Sequence, residues 1–252
     1  MMQFRTSPFS NLPPVVKNLL VINIAMFLLL VLAQLIYKVD LNMYLGLYQP
    51  QSEAFKPYQL VTHMFMHGGL AHIFFNMFAL FMFGRVLEQF WGGKRFLIYY
   101  LVTGFGAALL HMLVGYLQAQ SLLSELPPDA LSKIQTDGLE ALRAGKNYVN
   151  PEMARLNAVI NTPTIGASGA VFGLLLAFGM LFPDARLMLI FPPIPIRAKY
   201  FVIGYGALEL YLGLTQPGSN VAHFAHLGGM LFGIILIYLW KKGQFNKKRW
   251  DK

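Results

Sequence analysis

Apolar residues along this chain come in long runs separated by short polar breaks. Residues 18–37 carry no charge and are bracketed by Lys17 and Lys38. At a rise of ~1.5 Å per residue such a run covers the ~30 Å hydrocarbon layer of a bilayer. Further runs occupy residues 70–84 (extended on a more polar side to Phe90), 96–117, 164–182, 200–214 and 221–240, the last ending abruptly in "KKGQFNKKRWDK". The pattern predicts an all-α membrane protein built as a bundle of six transmembrane helices, with both termini on one side. The first run lacks the n-region and small-residue cleavage site of a signal peptide, so it reads as a retained span.

Two segments break the rhythm. Residues 40–69 mix apolar and polar positions ("MYLGLYQPQSEAFKPYQLVTHMFMHGG"), too apolar for a solvated loop and too broken for a span, which predicts a membrane-immersed first loop. Residues 118–161 form the one truly polar region. Within it Leu131, Ile134, Leu139 and Leu142 recur at near-helical intervals after a pair of prolines, predicting a surface helix inside an extramembrane insertion. The organisation expected is a cytoplasmic N-terminal segment over 1–17, a membrane domain over 18–240 and a basic cytoplasmic tail over 241–252.

Composition agrees with this layout. Of 252 residues, 56% are hydrophobic and 12% charged, against about 25% charged in soluble domains. The mean hydropathy is +0.51. With no cysteine, disulfides, thiol catalysis and thiolate metal sites are excluded. The net charge of +9 suggests nucleic acid at first, but topology accounts for it. With the N-terminus cytoplasmic, 14 of the 20 Lys and Arg residues fall on the cytoplasmic side, and four of the other six lie in the insertion. The basic tail then faces anionic lipid headgroups, and no nucleic-acid partner is expected. The layout suggests a bacterial inner (plasma) membrane.

Polar groups inside spans are costly, so each is a candidate for function. His72 and Asn76 sit four apart on one face of the second run, Ser168 near the start of the fourth and His226 near the start of the sixth. In this topology all three runs enter from the same side, so these groups share one depth. Acyl transfer needs such a set: a serine hydroxyl, an imidazole to take its proton, and donors for the developing oxyanion. The Asn76 amide, an N–H of His72 and the Ser168 backbone N–H are the candidate donors. Gly166 and Gly169 let backbone approach the scissile bond. Gly169 with Gly173, and Gly229 with Gly233, form G-x-x-x-G pairs that predict close packing of the fourth and sixth runs.

Each group has a plainer reading. Gly-x-Ser-Gly alone is ordinary helix packing, and a lone intramembrane histidine is more often structural than catalytic. His63 with His67 (i, i+4) and His223 with His226 (i, i+3) have the spacing of metal pairs, but no His-Glu-x-x-His occurs and few carboxylates are near. The expectation is no metal and no cofactor, with His63 and His67 fixing the immersed loop by hydrogen bonds. Glu209 reads as paired or facing a polar cavity, and Glu88 as an ion pair with Arg85. His111 has no evident role. The rival readings of the whole are a client-binding relative without proteolysis and a histidine-lined transporter, the latter disfavoured by the lack of internal repeats.

The chain resembles the rhomboid family of intramembrane serine proteases. "FKPYQLVTHMFMHGGLAHIFFNMFALFMFGRVLEQFWGGKRFLIYY" is similar to the family's first loop, second helix and following turn, with His-x-x-x-Asn at His72 and Asn76 and Glu-x-x-x-Gly at Glu88 and Gly92. "GASGAVFG" matches the nucleophile motif at Ser168, and "AHFAHLGGMLFG" the catalytic-histidine helix, with His226, Gly229 and Gly233 in register. His223 fails that register, having His226 and Met230 where glycines are required. The resemblance implies a Ser168–His226 dyad without an aspartate. It also implies a water-filled cavity open to the outer side, a movable cap ("LTQPGSN") before the last span, and cleavage of single-pass membrane proteins near their outer end. One departure is Phe172, where the family often has a tyrosine stacked on the histidine; the ring is kept and the hydroxyl lost. Another is the length of the 118–161 insertion.

Overall fold

The computed structural model describes residues 12–188, 193–216 and 221–250, without the side chains of 242–250. Residues 1–11 of the N-terminal segment, residues 217–220 of the expected cap, and Lys252 lie outside the described residues, as do the side chains of the tail cations Lys242, Lys247, Lys248 and Arg249. The described chain is mostly helical: α1 (Pro14–Tyr37), α2 (Leu70–Trp91), α3 (Gly93–Leu123), α4 (Pro151–Asn161), α5 (Ser168–Leu181), α6 (Ala198–Thr215) and α7 (His223–Trp250). A short antiparallel hairpin, β1 (Arg186–Met188) and β2 (Pro195–Arg197), joins α5 to α6.

Four of these helices are long and apolar enough to cross a membrane: α1, α2, α3 and the His223–Lys241 part of α7. The six-span expectation is met to that extent. Helices α5 and α6 stand where the fourth and fifth runs were expected, with 14 and 18 residues. The fourth run starts late because residues 164–167 are not helical and lead instead to the site described below.

Helix α5 is the centre of the bundle. Its sequence, SGAVFGLLLAFGML, is apolar on every side, and ten of its 14 residues are buried. A helix without a polar face must be surrounded, and α2, α3, α6 and α7 all pack on it. Helix α1 is the opposite case. It buries Val16, Leu19 and Asn23, while Leu28, Leu32, Leu35 and Ile36 stay exposed, as suits a face meeting lipid.

The glycine pairs bring α7 close against α5 as expected, and those of α5 also admit a third helix. Gly169 and Gly173 of α5 admit α3, where Ala107 and Thr103, four residues apart, fill the space a Cβ would need. Helix α7 approaches both neighbours through consecutive glycines. A Cβ on Gly229 would run into the Gly169 carbonyl, and one on Gly228 would sit 2.8 Å from both the Ala107 Cα and the Gly106 carbonyl oxygen. Gly233 meets the Tyr99 hydroxyl and Leu176 rather than α5 glycines. Small residues thus let three backbones converge, the usual basis of packing where lipid removes a hydrophobic drive.

Glu88 corrects a second reading. It does not pair with Arg85; it caps α1, its Oε1 accepting from the Val15 N–H (3.0 Å) and its Oε2 from the Val16 N–H (2.7 Å). The first backbone N–H groups of a helix have no partner within it, and a carboxylate also suits the positive end of the helix dipole. Gly92, at φ 77° and ψ 158°, allows the sharp turn from α2 directly into α3, a backbone conformation only glycine takes without strain.

Helix α3 runs six residues past the expected Leu117, so the polar residues Gln118 and Gln120 continue it. The surface helix of the insertion is present as Ala130–Lys133 and Leu139–Arg143 around a wide turn at Ile134–Gly138. Ile134 forms a small core with Ala119, Leu156 and Ile160. Helix α4 is capped by Asn150, whose side chain accepts from the Met153 N–H (2.8 Å), with Pro151 in the first turn. Buried asparagines join this insertion to the 40–69 loop. Asn157 donates to the Gly138 carbonyl (3.0 Å), Asn161 donates to the Ile134 carbonyl (3.0 Å), and the Ser52 hydroxyl donates to Asn161 Oδ1 (2.6 Å). At the other end of the bundle, Lys199 beside Asp184 (2.9 Å) holds that exposed carboxyl below its usual range.

Candidate active site

The site begins with a short extended stretch before α5. Leu47 and Thr164 exchange backbone hydrogen bonds (2.9 and 2.8 Å), and the Gly166 N–H donates to the His63 carbonyl (2.9 Å). The 40–69 loop thereby holds the residues that lead into Ser168. Much of that loop is buried: Leu47, Tyr48, Gln49, Ser52, Gln59, His63, Met64, Met66 and His67. His63 fixes the loop as expected, its Nδ1 meeting the Gln59 carbonyl (2.8 Å). His67 does not, since neither ring nitrogen makes a hydrogen bond; its ring meets His72 edge-on at 5.0 Å. His111 gains the partner that the sequence did not suggest, with Nε2 2.7 Å from Thr164 Oγ1.

Ser168 is the first residue of α5, and its Oγ lies 2.8 Å from His226 Nε2. His226 is in the first turn of α7, one turn ahead of Gly229, so the close packing of α7 on α5 sets this distance. Phe172, one turn after Ser168, stacks flat on the imidazole, with centroids 4.0 Å apart and planes within 7°. Phe172 also meets the ring of Tyr205 of α6, with centroids 4.9 Å apart. The ring that replaces the family's usual tyrosine therefore keeps the stacking role.

On its other edge, His226 Nδ1 lies 2.9 Å from Glu209 Oε2, and His223 Nδ1 lies 2.7 Å from the same oxygen. All three residues are buried. Glu209 is thus paired, as one of its two sequence readings held, and it is paired with the serine's own histidine. Sequence reasoning missed that link. The available signal was a carboxylate inside an apolar run with no Lys or Arg one helical turn away. Glu209, His223 and His226 form one group among the described residues able to grip a metal ion, with ligand atoms within 4.8 Å of one another. Their nitrogens facing Glu209 are already matched to an acceptor, a geometry complete without a cation.

Ser168 lines a narrow cavity with His63, Thr164, Gly166, Ala222 and Ala225. His72 faces the same space: a Cβ built on Gly166 would lie 2.8 Å from His72 Nε2 and 3.5 Å from Ser168 Oγ. The Gly68 N–H donates to His72 Nδ1 (3.3 Å), which leaves the proton of a neutral His72 on Nε2, directed at that space. Gly166, at φ 126°, combines a backbone that other residues avoid with the room His72 needs. Asn76 turns one amide hydrogen back to the His72 carbonyl (3.0 Å), keeping the other to donate. The Ser168 amide lies in the unpartnered first turn of α5. The residues expected at the site, Ser168, His226, His72, Gly166, Gly169 and Phe172, therefore converge, with Asn76 one turn beyond His72.

This arrangement predicts graded losses. If the site performs acyl transfer on a peptide bond, His72→Ala and Asn76→Ala are each expected to lower that rate roughly 10²–10³-fold without abolishing it, as removal of one oxyanion donor does. Initial rates on a single-span substrate in liposomes check this, and unchanged rates in both variants would remove these residues from the oxyanion site.

The Rhomboid domain family matches residues 54–243, which include His72, Asn76, Ser168, Glu209, His223 and His226. The chain belongs to the rhomboid family. Rhomboid relatives occur in organelles and bacteria. RHOMBOID-like protein 12, mitochondrial, of Arabidopsis thaliana is 28% identical over 189 residues, covering 74% of this chain and 47% of the relative. Rhomboid protein 1, mitochondrial, of Saccharomyces cerevisiae is 27% identical over 176 residues, covering 70% and 40%. Rhomboid protease GluP of Bacillus subtilis is 25% identical over 194 residues, covering 76% and 28%. This rhomboid chain thus spans about half or less of the length of those relatives. It is a membrane protein with several apolar helices, and mitochondrial relatives stand beside the bacterial one, so kinship alone assigns it no particular membrane.

Proposed function

We propose that this rhomboid is an intramembrane serine endopeptidase that cuts single-pass membrane proteins near the outer face of the bilayer. In this reading six helices span the membrane, the 40–69 loop is partly immersed, and both termini are cytoplasmic, in a bacterial plasma membrane. The basic residues at the α2–α3 turn, the β1–β2 hairpin and the end of α7 support that orientation. The observation that carries the activity is the 2.8 Å contact between His226 Nε2 and Ser168 Oγ, with the imidazole held flat on Phe172.

The chemistry is acyl transfer in two halves. His226 Nε2 takes the hydroxyl proton as Ser168 Oγ bonds to the scissile carbonyl carbon. The carbonyl oxygen becomes an oxyanion, facing the His72 Nε2–H and the N–H groups at the start of α5. The imidazolium then gives its proton to the departing amine, the C–N bond breaks, and an acyl-enzyme remains. Water enters, His226 takes its proton, and hydrolysis restores Ser168. The positive end of the α5 dipole favours both anionic intermediates. A substrate helix must unwind locally first, because its peptide bonds are otherwise hydrogen-bonded and shielded.

The direct test is a fluorophosphonate probe applied to the purified protein in detergent. A single adduct mapped to Ser168 by peptide mass spectrometry is expected. No adduct on the folded protein would sink the proposal and favour a client-binding relative. GluP carries "protease" in its name, while other relatives are named only as rhomboid proteins, so kinship does not decide this point.

A further inference from the structure

Glu209 sits in the apolar helix AKYFVIGYGALELYLGLT with a side chain only 5% exposed. Taking a carboxylate out of water is costly unless donors satisfy it. No Lys or Arg is paired with it among the described residues; its donors are two imidazoles. His223 and His226, three residues apart, share one face of the first turn of α7, and both turn Nδ1 toward Glu209 Oε2. Such a centre serves two histidines where the family expectation asked for one.

The proton arrangement follows from hydrogen-bond chemistry. An ionised carboxylate can only accept. Each Nδ1 must therefore carry a hydrogen, which it donates to Glu209. For neutral His226 that leaves the lone pair on Nε2, the nitrogen 2.8 Å from Ser168 Oγ. The other tautomer would set an Nε2–H against the serine hydroxyl and could not accept its proton. We infer that Glu209 is a positioning residue for catalysis. It completes a Ser168–His226–Glu209 chain by fixing the reactive tautomer of His226, and His223 holds the same carboxylate oxygen. This inference rests on the proteolytic reading of the same site.

The proton balance is simple. When Ser168 attacks, its hydroxyl proton moves to His226 Nε2 and the new C–O bond forms. The Nδ1 proton stays on His226 throughout, and Glu209 takes up none. Its negative charge faces an imidazolium that exists only during reaction, so the gain is in the transition state rather than in substrate binding. Glu209 reaches the chemistry only through His226, with the imidazole between its carboxylate and Ser168. His223 lacks a link to Ser168, and its Nε2 is buried without a hydrogen-bond partner.

The test compares Glu209→Gln, Glu209→Asp and His223→Ala with the unmodified protein in liposomes, using a single-span substrate and the fluorophosphonate probe. Glu209→Gln is expected to lower kcat between about 10²- and 10⁴-fold with KM within a few-fold, the pattern of a lost orienting carboxylate. Glu209→Asp recovers part of kcat. His223→Ala stays within about tenfold of the unmodified protein, since the contact of Glu209 with His226 survives. The decisive readout is the ¹⁵N spectrum of His226, assigned with His226→Ala. It shows a protonated Nδ1 in the unmodified protein and a mixture of tautomers in Glu209→Gln.

If Glu209→Gln reacts like the unmodified protein, the inference is wrong. It is equally overturned if His223→Ala reproduces the full loss while the His226 tautomer is unchanged in Glu209→Gln, since Glu209 would then only fasten α6 to α7. Loss of probe labelling in excess EDTA would replace the hydrogen-bonded trio with a metal site and overturn it as well. Absence of labelling in the unmodified protein would instead refute the proteolytic reading itself, so the two failures are distinguishable.

Discussion

Under the proposed reaction, Ser168→Ala is expected to abolish cleavage of a single-span substrate, with a fall of more than about 10⁴-fold, while the protein keeps its fold. The loss follows from chemistry. Neither α5 nor the first turn of α7 offers another hydroxyl at 2.8 Å from His226 Nε2, and no cysteine exists to replace it. What would survive is binding and the oxyanion donors, which alone give a small residual rate over water. Retention of the fold follows from packing. The substitution removes one oxygen at the first position of α5, breaking a single hydrogen bond worth about 1 kcal/mol. Helix α5 is anchored instead by Gly169 through Ala177, all buried. Cleavage in liposomes and thermal unfolding in detergent, measured on the same preparation, check both halves. Cleavage at the unmodified rate would falsify the assignment of Ser168.

His226→Ala brings a comparable loss of activity, together with a loss of stability that Ser168→Ala does not share. The imidazole does three things at once: it accepts from Ser168, stacks on Phe172, and pairs with Glu209. Truncation leaves a cavity against Phe172 and strips one of two partners from a buried carboxylate. An incompletely satisfied buried polar group costs about 1–3 kcal/mol, more when charged. The melting temperature is therefore expected to fall by several degrees, and fluorophosphonate labelling to vanish, since the serine is no longer activated. A variant that labels normally would show that another base serves Ser168; in the native arrangement His223 turns its Nδ1 to Glu209 instead.

How much of this was legible in the sequence depended on whether a feature repeats along the chain or exists only across it. The apolar runs repeat, and they located the helices, although α5 begins at Ser168 because the preceding residues pair with Leu47. Ser168, His226, His72 and Asn76 were legible because a shared depth could be argued from topology. Their contacts were not legible in the same way. Glu88 seemed to belong to Arg85, three residues away on its own helix, yet it caps a helix 72 residues earlier in the chain. His111 looked idle until Thr164 was brought against it by the loop pairing. Glu209 showed its cost, as a charge in an apolar run, but not its partners. Those partners depend on how α6 is rotated against α7, which helix periodicity does not encode.

If the proposed reaction holds, the consecutive glycines of α7 bear on where a substrate is cut. Gly228 rests on the backbone of α3, and Gly229 on the backbone of α5 at the residue next to Ser168. Contacts between main chains have almost no play: α7 cannot slide along either neighbour without a carbonyl striking a Cα. The height of the reacting pair in the bundle is then set by the frame of helices rather than by the loops around it. In the proposed reaction the enzyme works as a depth gauge. A substrate helix would be cut at whatever residue its own anchoring brings to that level, so position in the bilayer would select the scissile bond before any side chain is read.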